Sequence, residues 1–192
     1  MDITSFIMYS FIVTFTPGPT NIVILSTVHN FGVKRAMDYT IGATIAFGIL
    51  LAISALLNNS LVAIIPKILT GMQVIGTIYM LYLAYQIYKM DSSSGNTENK
   101  SGTFLNGFFM QFLNPKVVIF AITVIPSFVL PYYTDMTSVT MSVITITIIG
   151  FLAFVSWVFF GAIFKSILQK HEKVVNVIMA LCLVYATIMI WT

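Results

Sequence analysis

Two short motifs hold the residues whose types and spacing could do chemistry in this chain: Thr16-Pro17-Gly18-Pro19-Thr20-Asn21 and Asn114-Pro115-Lys116. Asparagine is a favoured N-cap, and proline at the first helical position loses nothing because that N–H has no intrahelical partner. The same logic fits a start at Thr16-Pro17 or at Gly18-Pro19. Each motif therefore reads as the beginning of a helix, whose unpaired N–H groups carry about half a positive charge. Two such ends meeting at membrane depth would hold a small anionic group such as a carboxylate. Gly18 would let a substrate or an opposing helix approach the backbone closely. The expected substrate-binding residues are Pro17, Gly18, Pro19, Asn21, Asn114, Pro115 and Lys116.

Lys116 brings the charge. Counted from Phe104 it lies about 12 residues into its apolar run, roughly 18 Å along a helix, inside a hydrocarbon core of about 30 Å. A lysine there costs about 3 kcal/mol or more. Asp2, Asp38, Asp91, Glu98, Asp135 and Glu172 all fall at the ends of apolar runs or in loops, so none is placed to pair with it. Two readings stay open: a lysine that caps broken-helix carbonyls or snorkels outward, and a cationic contact to substrate or to a proton-linked group. Asn21 likewise either orients substrate through its amide or braces the kink with a hydrogen bond. Thr16, Gln111, Tyr79 and Tyr82 are secondary candidates, and Thr14 is a weaker one.

The elements that must position these residues are membrane helices. Of 192 residues 58% are hydrophobic and only 8% charged, with a mean hydropathy of +0.97. Soluble domains carry about 25% charge. Apolar windows recur at about 3–26, 36–57, 68–88, 104–130, 138–164 and 173–191, each able to supply the ~20 residues of a membrane helix. The expected fold is all-α, with six transmembrane helices and the first and fourth broken at proline. A proline inside such a run removes a backbone donor and clashes with the preceding turn. The freed carbonyls cannot face lipid, so each break must be buried in protein or line a cavity.

A polar stretch at 91–102, rich in Ser, Asn and Gly, reads as a cytoplasmic linker between a first three-helix repeat (1–90) and a second (103–192) of one transporter domain. An odd number of helices in each half makes the two repeats inverted. Phe11-Ile12-Val13-Thr14-Phe15-Thr16-Pro17 can be laid over Phe109-Met110-Gln111-Phe112-Leu113-Asn114-Pro115, in the first helix of each half. Paired interruptions of this kind point to a transporter's binding site.

Lys34, Arg35, Lys89, Lys100, Lys165, Lys170 and Lys173 fall on one side of such a topology and only Lys67 on the other. Basic residues mark the cytoplasmic side, which places both termini outside. The net charge of +3 then reflects topology and anionic lipid rather than nucleic acid. The N-terminus lacks a basic region and a cleavage site, so the first helix is expected to remain as a span. A single cysteine, Cys182, makes no intramolecular disulfide, and no metal or cofactor is expected. His29 and His171 read as solvated residues at helix ends. Ala36, Gly42, Ala43, Ala46 and Gly48 suit close helix packing. Tyr79, Tyr82, Tyr85 and Tyr88 recur every three residues, either as a packing face ending in the interfacial belt or with Tyr79 or Tyr82 offering a hydroxyl to the cavity. Tyr132, Tyr133 and Trp191 read as belt anchors. An enzyme would need convergent nucleophilic, acidic or metal-binding groups, which the spans do not supply. A channel, or an exporter of another small solute such as a metal cation, is the alternative to an amino-acid carrier.

Pro17-Gly18-Pro19 with Asn21 resembles the signature of the LysE/RhtB family of amino-acid exporters. The resemblance continues through Gly32-x-x-x-Ala36, Gly42-x-x-x-Ala46, Gly76-x-x-Tyr79-x-x-Tyr82-Leu83-Ala84, Phe112-Leu113-Asn114-Pro115-Lys116 and Pro126-Ser127-Phe128, covering essentially the whole chain. It implies a proton-coupled antiporter of amino acids or derivatives in a bacterial inner membrane, forming a homodimer. Phe128-Val129-Leu130-Pro131 and Leu183-Val184-Tyr185-Ala186 are similar to the cysteine/O-acetylserine exporter branch. Many family members have glycine then aspartate where this chain has Ala46-Phe47. That departure puts a carboxylate-mediated proton mechanism in doubt and fits a neutral amino acid better than lysine or arginine.

Overall fold

The computed structural model describes residues 2–89, 102–189 and 191. The expected linker at 91–102 lies outside them apart from Gly102, as does the side chain of Lys67. Among the described residues the regular structure is entirely helical: α1 (Ile3–Phe15), α2 (Pro19–Phe31), α3 (Val33–Lys89), α4 (Phe104–Leu113), α5 (Pro115–Val124), α6 (Met136–Ile163), α7 (Lys165–Lys170) and α8 (Glu172–Met189).

Both proline motifs break a span. α1 and α2 meet at 47°, and α4 meets the continuous segment Pro115–Val129 at 66°. Within that segment Pro126 supplies no N–H, and the last turn, Ile125–Val129, widens into a π-helix closed by Leu130 N–H donating to Ile125 O at 3.1 Å. Val33–Leu57, Met136–Ile163 and Glu172–Met189 are each long and apolar enough to cross a membrane; with each bent pair taken as one span the number reaches five. The third expected window, 68–88, forms the second arm of α3, which runs on from the first across a kink. At Leu57 the backbone leaves the helical region (φ −110°, ψ 17°).

Packing shows that the chain reverses between the two arms of α3. A Cβ on Gly42 would fall on the carbonyl of Phe104, and one on Gly76 on the carbonyl of Leu113. Gly42 and Gly76 are 34 residues apart, about 51 Å on a straight helix, whereas Phe104 and Leu113 are separated by only about 14 Å. Only a fold-back lets both touch α4. Met80, Ala84 and Ile87 of the second arm accordingly share one core with Ala36, Tyr39 and Ala43 of the first. Ala36, Ala43 and Ala46 are fully buried, as the small-residue stripe predicts.

A second core lies toward the N-terminal end of α1. Tyr9 stacks between Phe120 (5.6 Å between ring centroids) and Phe128 (5.3 Å), and Phe47 packs on Phe120 at 5.9 Å. The two breaks sit between these cores. Helix ends follow their capping signals: the Asp2 carboxylate accepts from Thr4 and Ser5 N–H, Thr103 Oγ1 from Asn106 N–H, and the Asp135 carboxylate from Ser138 N–H at 2.8 Å. Gly32, at φ 86°, takes the positive-φ turn that ends α2 one residue before α3 begins.

Two expectations are corrected. His29 is not solvated: it is 1% exposed, and among the described residues neither ring nitrogen has a hydrogen-bond partner. His171 is exposed as expected. The tyrosine stripe is not an internal packing face, because Tyr82, Tyr85 and Tyr88 point outward and only Tyr79 is half-buried against the core.

Candidate functional site

The first break is held by side chains from three other elements. The carbonyls at the end of a helix have no helical partner, and those of Thr14 and Phe15 in the last turn of α1, of its C-cap Thr16 and of Pro17 beyond it are each reached by a side-chain donor. Asn21 Nδ2, one turn into α2, donates to Thr16 O at 2.9 Å and Thr14 O at 3.3 Å. Trp157 Nε1 on α6 donates to Phe15 O at 3.3 Å. Lys116 Nζ on α5 donates to Thr16 O at 3.1 Å, to Thr16 Oγ1 at 3.0 Å and, at 3.5 Å, to Pro17 O. Here Lys116 takes up the capping role, and Asn21 braces the kink.

The two breaks are unlike in how their second helices begin. At the second, Asn114 Oδ1 caps α5 by accepting Lys116 N–H at 3.2 Å, and Val118 N–H donates to Asn114 O. At the first, the N-cap is Gly18, which offers no side chain. Sequence logic expects two open helix N-termini; the structure has one, at α2. Gly18 also makes room for the lysine, since a Cβ there would lie 3.1 Å from Lys116 Nζ.

A buried hub joins the motifs directly. Thr20 Oγ1 accepts from Gln111 Nε2 and from Asn114 Nδ2, each at 3.1 Å, across more than 90 residues of sequence. Thr20, Asn21, Gln111 and Asn114 are all at most 3% exposed. Thr20 and Trp157 are the contributors that sequence reasoning passes over; a threonine inside the first motif and a lone tryptophan in an apolar helix carry no distinctive pattern.

Two cavities meet at Lys116. The larger, about 630 Å³, is lined by Pro17, Gly18, Pro19, Asn114 and Pro115 on one side and by Trp157 and the α8 residues Ile178, Cys182 and Tyr185 on the other. That volume lies in the range of small-molecule sites, about 300–1,000 Å³. The smaller, about 30 Å³, is bounded by Thr14, Thr20, Asn21, Phe47, Phe120 and Phe154. Gly18, Asn114 and Lys116 line both. Tyr79 and Tyr82 line neither; the Tyr82 hydroxyl accepts from Gln86 Nε2 on the outer surface. Phe47 is buried and wedged where a Cβ on Gly150 would meet its ring.

Comparison with known proteins agrees with this architecture in extent and in kind. The family description "LysE type translocator" matches residues 11–191. A cysteine/O-acetylserine efflux protein of Salmonella choleraesuis (strain SC-B67) is 30% identical over 191 residues, covering 100% of this chain and 98% of that protein. Proteins of the same name from Klebsiella pneumoniae subsp. pneumoniae (30% over 188 residues, 98% and 96% covered) and Escherichia coli O6:H1 (27% over 189 residues, 98% and 97% covered) are similar over the same extent. No solved structure matches the chain. With its family description spanning nearly every residue and its breaks assembled around one lysine, the chain belongs to the LysE translocator family of multi-pass membrane transporters.

Proposed function

We propose that this protein is a secondary active exporter of a small neutral amino acid or amino-acid derivative, bound between the two broken helices and moved by proton-coupled alternating access. The observation that carries the reading is the reach of Lys116 from the second break onto the first, beside the uncapped start of α2 and at the wall of the larger cavity. A cation next to a helix N-terminus suits a carboxylate. Pro17, Gly18, Pro19, Asn21, Asn114, Pro115 and Lys116 are the residues assigned to this site, with Thr16 and Gln111 beside them. The acidic side chains of the described helices stand within two turns of helix ends, leaving no protein charge at the site to balance a cationic substrate. The names of the similar proteins supply the substrate class: cysteine, O-acetylserine or a molecule of that size.

Counting each bent pair as one span and α3 as two gives six, three on either side of 91–102, with the halves inserted oppositely and both termini outside. The geometric requirement for α3 to fold back supports this arrangement. Inverted halves around a midplane site favour alternating access over an open pore. Uptake into inside-out vesicles tests the reading, using labelled cysteine, O-acetylserine, alanine, serine and threonine with and without an imposed proton gradient. Gradient-dependent accumulation of a neutral amino acid is expected, and folded protein that accumulates none of them would refute the exporter assignment.

A further inference from the structure

We propose that Thr16 and Pro17 form a cradle for a primary ammonium group, filled by Lys116 in the substrate-free protein and by the α-ammonium of a zwitterionic substrate in the loaded one, with the displaced Lys116 pairing with the substrate's carboxylate. This rests on the exporter reading, in which the breaks are the substrate site.

The geometry is that of an alkylammonium receptor. An ammonium has three N–H donors and no acceptor, and Lys116 Nζ meets three oxygens: Thr16 O, Thr16 Oγ1 and Pro17 O. All three are neutral and lie at the C-terminal, partially negative end of α1. The cradle does not depend on the lysine for its shape. Asn21 Nδ2 holds Thr16 O from the other side, and the Thr16 hydroxyl donates to Val13 O at 3.0 Å, leaving its oxygen free to accept. Trp157 Nε1 fixes the neighbouring carbonyl of Phe15. A different ammonium can therefore occupy the same oxygens without rebuilding them.

Access and charge balance point the same way. Thr16 and Pro17 are exposed, and the lysine borders a cavity of about 630 Å³ into which its flexible stem can swing. Two cations cannot share the cradle, since like charges at contact distance repel strongly where water is sparse. Among the described residues no carboxylate stands there to compensate. A zwitterion resolves both conditions, delivering an ammonium to the cradle and a counter-ion to the lysine it displaces. An amine without a carboxylate strands Lys116 unpaired. A carboxylate without an ammonium leaves the cradle with its own lysine and gains nothing from it.

The test is ligand-induced thermal stabilisation of the purified wild-type protein by cysteine, by 3-mercaptopropionate (no ammonium) and by cysteamine (no carboxylate), under reducing conditions. Cysteine should bind more tightly than either half-molecule by about 10- to 100-fold, the range set by charge-assisted hydrogen bonds. In Lys116→Met the order should shift: cysteamine, freed from its tethered competitor, gains about 10-fold over wild type while cysteine loses affinity. Equal binding of 3-mercaptopropionate and cysteine to the wild type, or no gain for cysteamine in Lys116→Met, would overturn the cradle. Should that variant not fold, Thr16→Val decides: a loss for cysteine with 3-mercaptopropionate unchanged supports the cradle, and no loss or an equal loss for both overturns it. Failure of cysteine and of every other neutral amino acid to bind or be transported instead defeats the exporter reading. Transport of cysteine that 3-mercaptopropionate blocks equally well defeats the cradle alone.

Discussion

Replacing Thr20 with valine should uncouple the two broken helices. The change keeps the side-chain shape but removes the oxygen that accepts from both Gln111 Nε2 and Asn114 Nδ2. Gln111 retains a long contact to Gly107 O at 3.5 Å, so the larger penalty falls on Asn114. Hydrogen bonds between membrane helices average about 0.6 kcal/mol and reach about 1.7 in double-mutant cycles. Two of them put the cost of Thr20→Val at about 1–3 kcal/mol, matching the ~1–3 kcal/mol of stranding a buried donor. Asn114→Ser separates the two jobs of that residue. Serine is as good an N-cap as asparagine, so α5 keeps its start while the bond to Thr20 is lost; Asn114→Ala should cost about 0.5–2 kcal/mol more, the value of a cap. SDS-driven unfolding in mixed micelles measures these differences. The Thr20→Val/Asn114→Ser cycle should show a coupling of about 0.6 kcal/mol or more. Additivity within about 0.3 kcal/mol would mean that the Thr20–Asn114 hydrogen bond does not couple the two breaks.

Further consequences can be checked separately. Gly107→Ala and Gly42→Ala place a Cβ on backbone carbonyls of the α3–α4 contact, so each should lose about 1–3 kcal/mol, the range for overpacking a tight interior. Gly71→Ala, which meets nothing within 4 Å, should be neutral or gain up to about 1 kcal/mol of helix propensity in the same unfolding assay. Trp157→Phe preserves the ring but removes the donor to Phe15 O; about 0.6–1.7 kcal/mol should be lost, with transport slowed before membrane levels fall. The Ser138 backbone and hydroxyl hydrogen bonds hold the Asp135 carboxyl below the ordinary aspartate value of 3.8. A depressed folded-state value contributes stability that is present above 3.8 and fades as pH falls through the lowered value; Asp135→Asn should abolish that acid-side component of a pH–stability profile.

The break positions are legible because proline inside a membrane-length apolar run has few tolerable surroundings; N-capping logic located Pro115 as a first helical residue and left Pro17 and Pro19 open, of which α2 begins at Pro19. What sequence could not show was how each freed group would be satisfied. Lys116 admitted both a capping and a substrate role, and only its distance to Thr16 O shows the first. Trp157 sits in α6, apolar all round, where periodicity gives no facing. The apolar windows 36–57 and 68–88 anticipate the two arms of α3, whereas the residue at which the helix breaks, Leu57, is neither glycine nor proline and so carries no mark of its own. The three-residue spacing of Tyr79 to Tyr88 identified a stripe but not its direction, and His29 was misread because a place near a helix end in sequence says nothing of what packs over it.

Under the proposed alternating access, the asymmetry of the breaks constrains how the two broken spans can move. The second break is closed on itself, since Asn114 supplies its own cap and leaves α5 without a free N-terminus. The first keeps its helix start open and draws its carbonyl donors from α2, α5 and α6. Any rocking of α4–α5 against α1–α2 must therefore either carry Thr16 along with Lys116 or break the bonds between them. Dragging α1 would also have to shift Trp157, which is anchored in α6 and bonded to Phe15, and that disturbs the packing of the longest uninterrupted span. Releasing Lys116 breaks the three hydrogen bonds of one flexible side chain, and the same movement breaks the two that Gln111 and Asn114 donate to Thr20 Oγ1. The lower-cost route is the one in which the lysine lets go, and a ligand able to take both its place and its charge is what makes that release favourable.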